Sequence, residues 1–154
     1  TVDELFIDPD GDTFRYIEIE INALGTVMDL FMDKPYKKGG RADLSWNATG
    51  MQKAIGIRGT VNEPGDKDSG WIVEMAIPFD LIAQSTGASK PEQGSQWRIN
   101  FSRVEWLMEK DAKGYRKKTG PEGKPLPEQN WVWSPQGLID MHVPERWGVI
   151  RFRN

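Results

Sequence analysis

The sequence predicts an all-β protein, and specifically an antiparallel β-sandwich. Apolar and polar residues alternate in several short runs, which is the pattern of strands with two different faces. Clusters of Gly, Pro, Asp and Asn separate these runs and are typical of turns. Helix-length segments do not alternate with the runs as parallel βαβ units require, so we expect about seven or eight short antiparallel strands.

The first third of the chain shows the clearest alternation. In the motif YIEIEINA, three isoleucines alternate with Glu18, Glu20 and Asn22. This period of two predicts a half-buried strand, with the glutamates on its polar face. The strands predicted in this part are residues 2–7, 16–23, 26–32 and 44–46.

The middle of the chain predicts a long hairpin. Apolar runs flank a segment rich in Asp, Gly and Pro, and Pro78 ends the second run. Only one segment suits a helix, and it is about one turn long. The elements predicted here and beyond are strands at 54–61 and 71–77, the helical turn at 79–84, a strand at 97–106, a hairpin near Tyr115 within the hydrophilic segment 109–129, and a closing strand at 147–152.

Composition limits the classes of function. The 154 residues suit one domain, 1–154, and the net charge of −3 argues against nucleic acid as a partner. The chain has no Cys, which excludes disulfides, thiolate metal sites and a cysteine nucleophile. It also has no apolar run long enough to span a membrane.

An aromatic segment near the carboxyl end is the strongest functional signal. Residues 130–152 hold three of the seven Trp and the single His. Trp131 and Trp133 stand two apart, so in an extended segment both indoles project from one face. An indole face packs against the C–H face of a sugar, while Arg, Glu, Asn and Gln bond its hydroxyls. The predicted carbohydrate site comprises Arg103, Glu105, Trp106, Asn130, Trp131, Trp133 and Gln136.

The alternative interpretation assigns the Trp residues to the core of the protein. It fits Trp71, Trp97 and Trp147 best, because these three are in phase with apolar strand positions. Trp131 and Trp133 lie among polar residues, and both a ligand role and a core role stay open for them at this stage.

Two loops could hold a structural calcium ion. The motif DPDGD places Asp8, Asp10 and Asp12 at alternate positions, and DKDSG places Asp66 and Asp68 in the hairpin turn. Ca²⁺ takes several oxygen ligands from a flexible loop. An ordinary turn is the competing interpretation for each loop, since Asp and Gly favour turns in any case.

Catalysis has little support in the sequence. No GxSxG, P-loop, HExxH or dinucleotide motif is present, and His142 has no nucleophile nearby in sequence. We therefore expect a protein that is not an enzyme, although a carboxylate pair such as a glycosidase uses stays an alternative. Met108, Met141 and His142 suggest haem ligation as a second alternative, since Met and His are common axial ligands.

Four motifs together resemble the carbohydrate-binding family 9-like domains of the DOMON-like superfamily. They are INALGTVMDL, DKDSGWIVEMAIPF, WRINFSRVEW and NWVWSPQGLIDMHVPERWGVIRF, and they extend over nearly the whole chain. The resemblance implies a non-catalytic β-sandwich that binds an oligosaccharide or polysaccharide between two Trp and carries structural calcium. It also implies a secreted, periplasmic or cell-surface protein that serves polysaccharide degradation.

The chain departs from that family at its beginning. Family members have further strands before the position of Val2, so we expect part of the sandwich to be missing from this sequence. This leaves an unpaired sheet edge, and we expect the missing N-terminal strands or a second chain to pair with it. Two further roles stay open within the same superfamily. One is a haem-binding electron-transfer domain, and the other is an accessory domain of a glycoside hydrolase without a ligand of its own.

Overall fold

The computed structural model describes residues 2–63, 65–112 and 114–153. Within these ranges the chain forms antiparallel strands and one α-helix, which confirms the predicted all-β class. The strands are β1 (Val2–Asp8), β2 (Tyr16–Asn22), β3 (Val27–Met32), β4 (Ala42–Asp43), β5 (Gln52–Arg58), β6 (Gly70–Ala76), β7 (Gln96–Glu105), β8 (Met108–Asp111), β9 (Gly114–Lys117), β10 (Gln129–Val132) and β11 (Gly148–Arg151). The helix α1 spans Phe79–Thr86, and 3-10 turns span Tyr36–Lys38 and Pro144–Arg146.

Seven of these strands form one sheet. Their order is β10, β7, β1, β2, β3, β4, and β11 also pairs with β7. The last residues of β7 pair with β10 and its first residues pair with β11, so these two short strands share one edge of β7. β1 pairs with β2 on one side and with β7 on the other, so it lies inside the sheet with both edges paired.

Two hairpins accompany the large sheet. β5 and β6 pair from Gln52 with Ala76 to Arg58 with Gly70, which confirms the predicted long hairpin. β8 and β9 form the short hairpin that was predicted near Tyr115. Met75 of β6 packs against the core on one face of the large sheet. The sandwich arrangement itself stays a prediction.

Both faces of the large sheet take part in a buried cluster. On one face the cluster comprises Leu5, Ile7, Ile17, Trp97 and Ile99, with Ile82 of α1 packed against them. On the other face it comprises Phe6, Tyr16, Leu30 and Met32, with Trp147 packed against them. The prediction of a half-buried β2 is therefore wrong, because the segment that contains Met141 and Trp147 covers the side on which Glu18 lies.

Smaller differences have local causes. The strand predicted at 44–46 does not form, because the Asp43 carboxylate accepts a hydrogen bond from the Ser45 amide (2.9 Å) and turns the chain after β4. The helix runs two residues beyond the predicted turn and ends at Gly87, whose φ of 80° is left-handed. Trp97 and Trp147 are buried, as the core interpretation predicted, and Trp71 is half-buried. Among the described residues no helix has the length and apolar character needed to cross a membrane.

Candidate functional site

A cavity of about 700 Å³ lies between the large sheet and strand β6, and we call it the groove. Its residues on the sheet side are Asp3, Glu4, Leu5, Ile21, Phe101, Ser102, Arg103, Trp131, Val132 and Trp133. Its residues on the β6 side are Val73, Met75 and Ile77. The volume falls in the range of small-molecule sites, which is about 300 to 1,000 Å³.

Strand register places the two indoles of the groove. Trp131 lies opposite Arg103, which in turn lies opposite Asp3, so these three residues form a row across β10, β7 and β1. The Trp133 amide donates to the Phe101 carbonyl (2.8 Å), which extends the pairing by one step beyond β10. Side chains two positions apart share a face, so both indoles project into the groove. Their exposed fractions are 49% for Trp131 and 53% for Trp133.

Charged side chains border the aromatic surface. The Arg103 guanidinium carbon lies 5.7 Å from the centroid of the Trp131 ring, and Arg103 also pairs with Glu105 (3.1 Å). Burial raises the pKa of the Asp3 carboxyl, and the charge of Arg103 opposes that shift. The groove therefore offers flat apolar rings beside hydrogen-bond donors and acceptors that are held in place.

The other predicted sugar-site residues lie elsewhere. Trp106 and Asn130 line a second cavity, of about 370 Å³, on the opposite face of the sheet. Gln136 is buried, and its amide nitrogen donates to the Met141 carbonyl (3.1 Å). The structure thus brings together Trp131, Trp133, Arg103 and, through its ion pair, Glu105. The sequence alone did not indicate Asp3, Phe101 or the apolar residues on the β6 side of the groove. The local signal for the β6 side is an apolar strand pattern, which does not distinguish a groove from a core.

The loop between β1 and β2 brings together Asp8, Asp10 and Asp12, which we call the aspartate loop. One oxygen from each lies within 4.8 Å of the others. The buried Asp8 carboxylate accepts hydrogen bonds from the amides of Gly11 (2.9 Å) and Thr13 (3.0 Å).

Two carboxylates of the aspartate loop already have a positively charged partner. Arg15 contacts Asp10 (3.4 Å) and Asp12 (2.9 Å). Burial raises the pKa of Asp8 to about 6, although the two amide hydrogen bonds lower it in part. These contacts account for the loop geometry without an ion, and calcium in this loop stays a prediction.

Asp66 and Asp68 both accept hydrogen bonds within the turn that joins β5 and β6. Asp66 accepts a hydrogen bond from the Thr60 hydroxyl (2.9 Å), and Asp68 accepts one from the Thr60 amide (2.8 Å). Both side chains are exposed. Among the described residues no third acidic group joins them in a cluster suited to a metal.

A second acidic cluster was missed by sequence reasoning. Glu4, Glu18 and Glu20, which we call the glutamate cluster, meet on the sheet face opposite the groove. Burial, with the negative charges of Glu20 and Glu4, raises the pKa of Glu18 to about 8. Burial and the charge of Glu4 raise the pKa of Glu20 to about 6. Burial raises the pKa of Glu4, while a hydrogen bond from the Ser102 hydroxyl opposes the shift.

Two residues of the haem alternative line different cavities, since Met141 lines the second cavity and Met108 a third one. His142 Nδ1 is hydrogen-bonded to the Tyr16 hydroxyl (2.9 Å), and its ring meets Phe6 and Tyr36 edge-on. Burial lowers the pKa of His142, which favours the neutral ring. Met108 lines a separate cavity beside Tyr115.

Comparison of the chain with protein-family models, curated proteins and solved structures yields no match in any of the three. The resemblance to the carbohydrate-binding family 9-like domains therefore stays an expectation from the motifs.

Proposed function

We propose that the chain is a non-catalytic carbohydrate-binding module whose ligand lies in the groove. The observation that carries the proposal is the pair of half-exposed indoles, Trp131 and Trp133, on one face beside Arg103. Large exposed aromatic surface in a concave site favours a ligand, because it would otherwise cost free energy in contact with water. A pyranose provides a C–H face for each ring.

Polar groups along the same row would orient such a ligand. Arg103 supplies donors and Asp3 supplies acceptors, and they are opposite each other in the register of β7 and β1. Glu105 holds the guanidinium through an ion pair of 3.1 Å. Donors and acceptors placed side by side suit vicinal hydroxyls, so an oligosaccharide fits this row better than a hydrocarbon does.

A glycan array followed by calorimetric titration tests the proposal. We expect a ligand among plant or host oligosaccharides, and we expect Trp131→Ala and Trp133→Ala to weaken its binding at least tenfold. Trp106→Ala is the matched control, because Trp106 lines the second cavity on the other face. Flat results across the array with folded protein would contradict the proposal. Loss of binding only in Trp106→Ala would place the sugar in the second cavity.

A second candidate function has support from the opposite wall of the groove. Val73, Met75 and Ile77 of the β6 side are all apolar, so one side of the groove suits a flat aromatic or aliphatic ligand. A fluorescent apolar probe distinguishes the two candidates. If the probe binds and Trp133→Ala releases it while no oligosaccharide displaces it, the apolar ligand is favoured.

A further inference from the structure

We propose that the glutamate cluster binds a hard divalent cation, with Ca²⁺ as the best fit. The cluster side chains lie on the sheet face opposite the groove, and Glu4 is the member that also borders the groove, so this site is distinct from the sugar site. It is also separate from the aspartate loop, which lies beyond the other end of β1 from Glu4.

The strand register gives the cluster its geometry. Glu4 of β1 lies directly opposite Glu20 of β2, and Glu18 follows two residues away on the same face of β2. One carboxylate oxygen from each lies within 4.8 Å of the others. Ca²⁺ binds its oxygens at about 2.3 to 2.6 Å, so ligands on opposite sides of the ion stand about 5 Å apart. The three oxygens are therefore spaced for a shared ion.

The Glu18 side chain gives an independent indication of a missing partner. Glu18 is only 4% exposed, and its Oε2 has no hydrogen-bond partner in the described part of the chain. The His142 Nε2 atom lies 3.5 Å from Glu18 Oε2 without hydrogen-bond geometry. A buried carboxylate oxygen without a partner is costly, and a cation would satisfy it.

The second cavity gives a cation access to the cluster. Glu4 and Glu20 line this cavity, together with Glu128 and Asp140, and no Lys or Arg from the described residues lines it. Negative charges in a concave site concentrate cations there. A cation that enters the cavity therefore meets two carboxylates of the cluster first and reaches the buried Glu18 behind them.

The donor set decides the kind of cation. Three carboxylates offer up to six oxygens, which suits Ca²⁺ or Mn²⁺ better than Zn²⁺. Tyr16 fixes the His142 ring through Nδ1, so that Nε2 faces Glu18 from outside the three-oxygen cluster. His142 is thus a positioning residue for Glu18, in the manner of the outer partners that orient metal ligands.

Thermal unfolding with and without metal tests the site. After treatment with EDTA and dialysis, the whole chain is titrated separately with Ca²⁺, Mn²⁺, Mg²⁺ and Zn²⁺. We expect Ca²⁺ at about 100 times its Kd to raise the Tm by roughly 5 to 10 °C for a domain of this size. We expect Zn²⁺ to act less strongly. A Tm that no cation changes would overturn the proposal.

Matched variants locate the ion. Glu18→Gln keeps the shape and removes the charge, so we expect at least tenfold weaker Ca²⁺ binding by calorimetry. Asp12→Asn changes the aspartate loop instead and should keep the response to Ca²⁺. If Asp12→Asn loses the response and Glu18→Gln keeps it, the ion belongs to the aspartate loop and the proposal fails. Glu20→Gln serves as the test variant if Glu18→Gln does not fold.

Discussion

The Trp133 ring lies directly against Gly148, so closely that a Cβ atom at position 148 would overlap the ring. Gly148 of β11 pairs with Ile99 of β7. Because Gly148 has no side chain, there is room for the Trp133 indole beside Phe101. The backbone of β11 thus forms the support on which this half-exposed ring rests.

Gly148→Ala should therefore displace the Trp133 ring without harming the fold. The φ of Gly148 lies outside the left-handed region, so alanine itself is not strained, and a half-exposed ring has solvent to move into. We expect at least tenfold weaker binding of the identified oligosaccharide, measured by calorimetry. Gly56→Ala is the matched control, because a Cβ at that strand position meets nothing within 4 Å. Unchanged affinity in Gly148→Ala would mean that the ring position does not matter for the ligand.

Trp147 and Trp133, two of the three Trp in residues 130–152, should differ in how much they contribute to stability. Trp147 is 2% exposed, packs against Phe6 and Tyr16, and donates its indole N–H to the Met141 carbonyl (3.0 Å). We expect Trp147→Ala to lower the free energy of unfolding by about 3 to 5 kcal/mol, as for other large core truncations. Trp133→Ala should cost only about 1 kcal/mol. Urea unfolding of both variants checks this, and equal losses would assign Trp133 to the core.

The strands were predictable wherever the side-chain pattern is local. The alternation in β2 and β7 and the paired runs of β5 and β6 each appear within a few residues, because a strand exposes neighbouring side chains to opposite faces. The groove was predictable only in part. Its indoles are visible in the sequence, but the row from Trp131 through Arg103 to Asp3 depends on register between distant strands.

The glutamate cluster illustrates the same limit. Glutamates that alternate with isoleucines indicate a solvent-facing side when the strand is considered alone. Here the segment that carries Met141 and Trp147 returns over that side and buries Glu18. Whether a polar face meets water or another part of the chain depends on a contact that no local pattern encodes.

Arg103→Gln should weaken binding of the identified oligosaccharide about tenfold. A charge-assisted hydrogen bond contributes about 1.5 to 3 kcal/mol, and about 1.4 kcal/mol corresponds to a factor of ten. Arg151→Gln is the matched control, since Arg151 is exposed and its register with Gln96 places it on the opposite sheet face. Calorimetry measures both. Equal affinity in the wild type and Arg103→Gln would show that the guanidinium does not bond the ligand.

Asp8→Ala should destabilise the fold even when no metal is present. The buried Asp8 carboxylate accepts hydrogen bonds from the amides of Gly11 and Thr13. Its removal leaves these two N–H groups without their acceptor. We expect a loss of about 2 to 4 kcal/mol in the free energy of unfolding, measured with urea in EDTA. Asp8→Asn keeps one oxygen acceptor and should lose less than Asp8→Ala. Asp10→Asn keeps an oxygen that can accept the Asp12 amide hydrogen bond and weakens an exposed contact with Arg15, so it should change stability by about 0.5 kcal/mol or less. If Asp8→Ala is as stable as Asp10→Asn in EDTA but loses a Ca²⁺-dependent rise in Tm, the aspartate loop serves an ion and not the turn.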